Sequence, residues 1–370
     1  MSEQKIKKII ARTFTEIADG LESNDFNKKY IIGIAVDGSE HGEEDLREAI
    51  AMTEAKGLKA VLINGENAHE QMEKMLKSGQ IDGAVTMHYP FPIGVSTVGK
   101  VKTPAKGKVM YLATTTGTSD TDRVRAMVKN AVYGIIAAKA DGVKNPTVGI
   151  ANIDGARQCE KALLKLQKGG YHIEFAQSSR ADGGIIMRGN DLLQGSADVM
   201  VMDSLTGNLM VKIFSSYTTG GGYEALGWGY GPGIGKGFDK TIMIISRASG
   251  APLIAEAVEY ASNLLKHGKN NITEEELAKA EKAGLDKILN ELSQPKGAEE
   301  TAEEVTAPPK EVVTEQIPGI EVMDLDNAVA VLWKENIYAE SGMGCTGPVI
   351  RISEANKDKA IALLSEKQYI

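Results

Sequence analysis

Two cysteines in 370 residues are too few for a disulfide framework, and their positions form no zinc-binding pattern. Aromatic side chains are scarce, with 6 phenylalanines and 2 tryptophans, and the 5 histidines are too scattered to assemble a Ser-His-Asp or metal constellation. No apolar run is long enough to span a bilayer. The opening stretch "MSEQKIKKIIARTFTEIADGL" is interrupted by Lys, Arg, Glu and Asp, so it is not expected to act as a secretory signal. Basic charge is in deficit as well: the net charge of −8 argues against a nucleic-acid-binding surface. These absences point to a soluble cytoplasmic protein that engages neither nucleic acid nor membrane and has no recognisable metal-ligand set.

What is abundant is glycine, 40 residues, in a chain that is 42% hydrophobic. From Tyr30 onward, short β-rich runs alternate with helix-like segments: "YIIGIAVDG" before "EEDLREAIAMTEAKG", "KAVLING" before "AHEQMEKMLKSG", "ADVMVMDS" before "GNLMVKIFSSY", and "TIMIIS" before "APLIAEAVEYASNLLKHG". Continuous apolar strands joined by helices read as an α/β fold, a three-layer α/β/α sandwich around a mostly parallel sheet, over residues 1–294. Ligands of such sheets bind beyond the carboxyl ends of the strands, which singles out the loops after Val36, Val85, Met202 and Ile245. Residues 295–318, "PKGAEETAEEVTAPPKEVVTEQIP", hold six glutamates and four prolines and carry a linker signature. As a flexible coil this stretch would span roughly 25–30 Å, and fully extended about 70 Å. The remaining segment, 319–370, is small for a core of its own and is expected to dock on the main body or on a partner.

Five motifs carry candidate chemistry. Cys345, in "YAESGMGCTGPVI", sits among glycines where backbone N–H groups could lower a thiol pKa and hold an oxyanion; it is a nucleophile or acyl carrier, or else a small apolar side chain filling a turn. Cys159 is different, because it lies four and seven residues before Leu163 and Leu166 and so shares an apolar helical face. In "DSLTGNLMVK", Asp203, Thr206, Gly207 and Asn208 fall where a strand turns into a helix, and with Lys212 they could hold an anion or simply cap that helix. "ISRASGAP" offers Ser246, Arg247 and Ser249 at a second strand-to-helix turn, with Arg247 suited to phosphate and Pro252 to a first helical turn. In "GWGYGPGIGKGF" glycine recurs at every second position from Gly227 to Gly237; it is neither a P-loop nor a dinucleotide fingerprint and reads as an extended loop under a ligand or subunit. Asp37 and His41 close the first sheet strand, where turn residues are more often structural.

The stretches "IGIAVDGSEHGEEDLREAI" and "GSADVMVMDSLTGNLMVK" and the turn "ISRASGAP" resemble the phosphate acyltransferase of phospholipid synthesis, whose sheet is of the isocitrate/isopropylmalate dehydrogenase type. That resemblance covers most of the first 270 residues, although "MHYPFPIGVSTVGK" replaces the small-residue stretch of that family and Ser-Leu stands where Gly-Phe is usual after the aspartate. A closer likeness, spanning nearly the whole chain, is to the alpha subunit of component C of glycine/sarcosine/betaine reductase. It rests on "DLLQGSADVMVMDSLTGNLMVKIFSSYTTGGGYEALGWGYGPGIGKGFDKTIMIISRASGAPLIAEAV" together with "YAESGMGCTGPVI".

The resemblance implies a reaction. A carboxymethyl selenoether on a selenoprotein partner, component A, is cleaved reductively to leave an acetyl thioester on component C, and phosphate attacks it to give acetyl phosphate. The acetyl-accepting cysteine of the family corresponds to Cys345. Asn208, Lys212 and Asp203 are then candidates for the chemistry, and Thr206, Gly207, Ser246, Arg247 and Ser249 for binding phosphate. The amides around Cys345 or at Gly207 are candidates for the oxyanion. No cofactor is expected beyond inorganic phosphate as substrate, and the expected partners are the beta subunit of component C and component A, in an oligomer. Three competing readings are a stand-alone phosphate acyltransferase, a non-catalytic acyl-carrier or scaffold subunit, and a nicotinamide-dependent dehydrogenase.

Overall fold

The structure, a computed structural model, describes residues 14, 17–18, 29–35, 38–65, 67–180, 183–293, 305–320, 324–344, 347–367 and 369–370. In the main body the strands are β1 (Ile31–Ala35), β2 (Lys59–Ile63), β3 (Gly83–Thr86), β4 (Val95–Lys102), β5 (Val109–Thr118), β6 (Thr147–Ala151), β7 (Glu174–Phe175), β8 (Ile186–Met187), β9 (Val199–Val201), β10 (Gly231–Ile234) and β11 (Ile242–Ile244). The helices there are α1 (Gly42–Ala55), α2 (Ala68–Ser78), α3 (Arg123–Ala140), α4 (Ala156–Lys168), α5 (Gly189–Gln194), α6 (Ser204–Ser216), α7 (Ala251–Lys266), α8 (Lys269–Lys282) and α9 (Leu285–Leu292). No described helix is long and apolar enough to cross a membrane.

The strands form one sheet in the order β2-β1-β3-β11-β10-β4-β5-β9-β6-β7, with β8 beside β6. Alternation along the strands sends side chains to both faces. Tyr111 and Ala113, Val199 and Val201, and Met243 join one core with α3, α4 and α7. Met110 and Leu112, Met200 and Met202, and Ile242 and Ile244 join another, which holds Val211 and Phe214 of α6. This is the expected α/β/α layering, and most strand pairs are parallel.

Strand direction departs from expectation. β11–β10, β10–β4 and β4–β5 are all antiparallel. Three reversals make β1, β2, β3 and β11 run one way and β5, β9 and β6 the other. The loop after Met202 therefore leaves the sheet at the edge opposite the loops after β1, β3 and β11. The cause is the glycine-rich segment, which is a buried central strand and not a loop beneath a ligand. A Cβ at Gly231 would sit 1.7 Å from the Val98 carbonyl oxygen, and one at Gly229 would sit 2.8 Å from that of Ile244. Only glycine lets β10 and the residues leading into it approach both neighbours so closely, and Gly229 and Gly231 also have positive φ.

Residues 305–370 bury a second core. β12 (Glu315–Pro318), β13 (Ala339–Gly344) and β14 (Gly347–Ile352) make an antiparallel sheet, with α10 (Leu325–Lys334) and α11 (Lys357–Glu366). Ile317, Leu332, Ile337, Ile350, Ile352 and Leu364 are among the residues buried there. The expected linker thus ends inside this unit: Ile317 is buried, and Glu315 holds Lys357 at 2.6 Å. Acidic and proline residues suited β12 to a sheet edge as well as to a linker, so composition could not separate the two.

Candidate functional site

Four residues after β11 make a turn closed on itself. The Ser246 N–H donates to Ser249 Oγ at 3.0 Å, and the Ala248 N–H donates to Ser246 Oγ at 3.1 Å. α7 follows at once, with Pro252 in its first turn as expected, and the Ala251 N–H is capped by Asp45 Oδ2 of α1 at 2.9 Å. The turn leaves Arg247 exposed, and its guanidinium has no hydrogen-bond or ion-pair partner among the described residues. It lines a cavity of about 390 Å³ with Ala35, His69, Thr86, Met87 and His88, at the carboxyl ends of β1 and β3. Tilted and edge-to-face rings of Tyr89, Phe91 and Phe238, with centroids 4.8 and 5.4 Å apart, pack beside the loop that supplies Met87 and His88.

α6 starts at the far edge and runs back along the sheet to this turn. Val211 packs beside Gly99 of β4, and Lys212 Nζ then lies 3.0 Å from Glu224 Oε1. The other oxygen of Glu224 accepts from Ser249 Oγ at 2.9 Å, and Oε1 also accepts the Tyr230 hydroxyl at 3.0 Å. Burial, then the Glu224 charge, pushes the Tyr230 pKa upward, so this phenol stays a donor. The structure thereby joins Lys212 to Ser246, Arg247 and Ser249. Asn208, one turn before Lys212, is half-buried, and its side-chain amide has no hydrogen-bond partner among the described residues.

Asp203, Thr206 and Gly207 are not part of that junction. Nine residues of helix separate Asp203 from Lys212, roughly 13 Å along the axis. Asp203 is the N-cap of α6: its carboxylate accepts the Thr206 N–H at 3.0 Å and hydroxyl at 2.8 Å, and it pairs with Arg123 at 3.1 Å. Partial burial pushes its pKa up, but these donors outweigh burial and hold it below the ordinary value. The Gly207 N–H donates to the Asp203 carbonyl at 3.0 Å, so it is engaged within the helix. Glycine is required there because a Cβ would stand 1.7 Å from the Thr114 carbonyl oxygen.

Cys345 lies outside the described residues, as do Thr346 and Asp37. Gly344 and Gly347, which flank Cys345 and Thr346, are partners in the β13–β14 ladder. Cys159 is fully buried in the core, and burial raises its thiol pKa, as an inert core cysteine requires. His41 is tied to the Ala248 carbonyl at 3.2 Å and to the Tyr223 ring, a structural placement. Among the described residues no group of three or more His, Cys, Asp and Glu side chains could hold a metal ion. Glu224, His69 and His88 went unnoticed in the sequence. For Glu224 there was a signal: it is the one carboxylate between Asp203 and Asp239, inside a run of glycines and small residues.

The comparisons with known proteins agree with this architecture. Residues 27–351 match the family described as fatty acid synthesis protein. The chain is 54% identical to the glycine/sarcosine/betaine reductase complex component C subunit alpha of Peptoclostridium acidaminophilum, over 98% of each chain. It is 25% identical to a phosphate acyltransferase of Staphylococcus epidermidis over 57% of this chain and 65% of that one. A phosphate acyltransferase of Phenylobacterium zucineum is 35% identical over 20% of each chain.

Proposed function

We propose a function from one premise: the chain belongs to the fatty acid synthesis protein family and to that of the reductase component C alpha subunits. It accepts, as a thioester on Cys345, the acetyl group formed when a dithiol reductant of the complex supplies two electrons to break the carbon–selenium bond of the carboxymethyl selenoether on component A. The carboxyl group loses one oxygen as water as the Cys345 sulfur bonds to its carbon. Inorganic phosphate then takes the acetyl group, and acetyl phosphate leaves. It works beside the beta subunit of component C, in the cytoplasm.

A thioester is already an activated acyl donor, so the protein has to supply only a held anion, donors for the developing oxyanion, and proximity. A phosphate oxygen attacks the thioester carbonyl carbon and the carbon–sulfur bond breaks. The proton of the phosphate dianion ends on the departing sulfur, regenerating the Cys345 thiol. Arg247 holds the phosphate, presented by the turn that Ser246 and Ser249 close, while Asn208 and Lys212 face it from α6. Asp203, Thr206 and Gly207 shape the start of that helix. The amides flanking Cys345 donate to the oxyanion.

The observation that supports this reading most is Arg247, a cation without a partner among the described residues, lining a cavity at the carboxyl edge of the sheet. Mass spectrometry of the intact chain after turnover should find an acetyl adduct on the peptide holding Cys345, discharged by phosphate. Arg247→Ala should keep the adduct but discharge it about 10²- to 10³-fold more slowly, as for loss of a group that stabilises transition-state charge. An acetyl group on another residue, or turnover that survives Cys345→Ser, would sink the thioester step. Unchanged discharge in Arg247→Ala would remove the anion from this turn.

A further inference from the structure

Glu224 takes no part in the chemistry outlined above, yet it is only 1% exposed and carries a carboxylate. Burying a charge is costly unless donors surround it. Three converge here, the Lys212 ammonium at 3.0 Å, the Tyr230 hydroxyl at 3.0 Å and the Ser249 hydroxyl at 2.9 Å. The Glu224 backbone is fastened as well: its N–H donates to the Ala248 carbonyl at 2.9 Å, and its own carbonyl accepts the Gly250 N–H at 3.0 Å.

The partners come from elements on both halves of the sheet. Lys212 belongs to the helix after β9, and Ser249 to the turn after β11, two strands that run in opposite senses. One carboxylate therefore spans the two halves of the sheet. Each oxygen faces one of these two elements. Oε1 holds Lys212, and Oε2 holds Ser249, which in turn receives the Ser246 N–H at 3.0 Å and closes the turn around Arg247. Lys212 itself is 49% exposed. An ammonium has three donors, and Glu224 takes one, so two remain for a ligand at the mouth of the site.

We infer that Glu224 is the positioning residue of the phosphate site, holding Lys212 and the Arg247 turn in one arrangement so that two cations meet the same anion. It does so without touching phosphate. The inference rests on the reading of this junction as a phosphate site. A fixed ammonium contributes a charge-assisted hydrogen bond, and its loss corresponds to about 10- to 100-fold in affinity.

The test uses the full chain and inorganic phosphate, followed by titration calorimetry, with the KM for the acyl donor and the unfolding midpoint measured alongside. Glu224→Gln should weaken phosphate binding at least tenfold and leave the acyl-donor KM within about twofold. Glu224→Asp, which keeps the charge but shortens the reach, should fall between the two and serves if the glutamine variant does not fold. Lys212→Met should weaken phosphate to a similar degree, and Glu224→Gln added to Lys212→Met should cost less than about threefold more, because both remove the same contact. If Glu224→Gln costs the full factor in the Lys212→Met background, or shifts both KM values together, Glu224 is only a structural prop and the inference fails. Wild-type binding with an equally tight Glu224→Gln variant also overturns it while leaving the phosphate site standing. No phosphate binding by the wild type at all overturns both.

Discussion

Two strand-to-helix turns drew attention in the sequence for the same reasons, and the structure separates them. Asp203–Gly207 and Ser246–Gly250 each follow a short apolar strand, each mixes hydroxyls with glycine, and each has a cation nearby. In the first, the groups singled out in the sequence are spoken for: Asp203 takes the Thr206 N–H, the Thr206 hydroxyl and Arg123, and the Gly207 N–H closes the first helical turn. In the second, the serines satisfy the backbone while the guanidinium of Arg247 is left over among the described residues. A ligand can be held only by donors that the fold has not already used. Residue type announces both turns, and hydrogen-bond accounting chooses between them.

The contrast can be broken at Gly207. In an ordinary helix, replacing glycine by alanine gains about 0.5–1 kcal/mol of backbone entropy. At this position the new methyl would stand 1.7 Å from the Thr114 oxygen and 2.8 Å from its carbon, both backbone atoms that cannot swing aside. Overpacking of this severity should reverse the sign and cost about 3 kcal/mol or more, read as the shift in denaturant midpoint. A stable Gly207→Ala variant would mean that the start of α6 can lift from β5, and the first turn would then be open to a ligand after all.

Ser249→Ala sharpens the other side. Ser249 is fully buried, so losing its hydroxyl strands the Ser246 N–H and one oxygen of Glu224, worth about 1–3 kcal/mol. If the turn exists to present Arg247, the KM for phosphate should rise together with the loss in stability. Destabilisation with an unchanged phosphate KM would make the second turn a scaffold like the first.

How much of this was written in the sequence follows from which interactions are local. The α/β layering was legible because apolar alternation and helix periodicity act within about ten or fifteen residues. Arg247 and Lys212 were legible as cations after strands. Their meeting was not, because it depends on β10, whose "GPGI" has neither the β-branched nor the aromatic content of a central strand. Three antiparallel steps around that strand turn α6 so that its far end, and not its start, reaches the second turn. Glu224 was hidden for a related reason, since its three partners lie 6, 12 and 25 residues away, each on a different element. The 305–370 unit shows the same limit, because acidic and proline-rich composition marked a linker where Ile317 anchors an edge strand.

The smallest expected effect belongs to Asp203→Asn, and its value lies in its pH dependence. Asparagine caps a helix about as well as aspartate, so the cap itself survives. What disappears is the charge facing Arg123, a half-exposed partner, which should cost under about 1 kcal/mol at neutral pH. In the wild type the Thr206 donors and Arg123 hold the Asp203 carboxyl below its ordinary 3.8, so between the two values the unfolded chain binds more protons than the native one. The stabilisation from the charge is therefore complete above about pH 4–5 and is lost as pH falls through the native value. Urea unfolding of both proteins from about pH 7 downward should show a constant small gap that closes only in the acid range. A gap that does not narrow at all as pH falls through the acid range would mean that the carboxylate does more than cap and pair. So would a phosphate KM displaced as far as in Arg247→Ala, and in either case the two turns would no longer differ in kind.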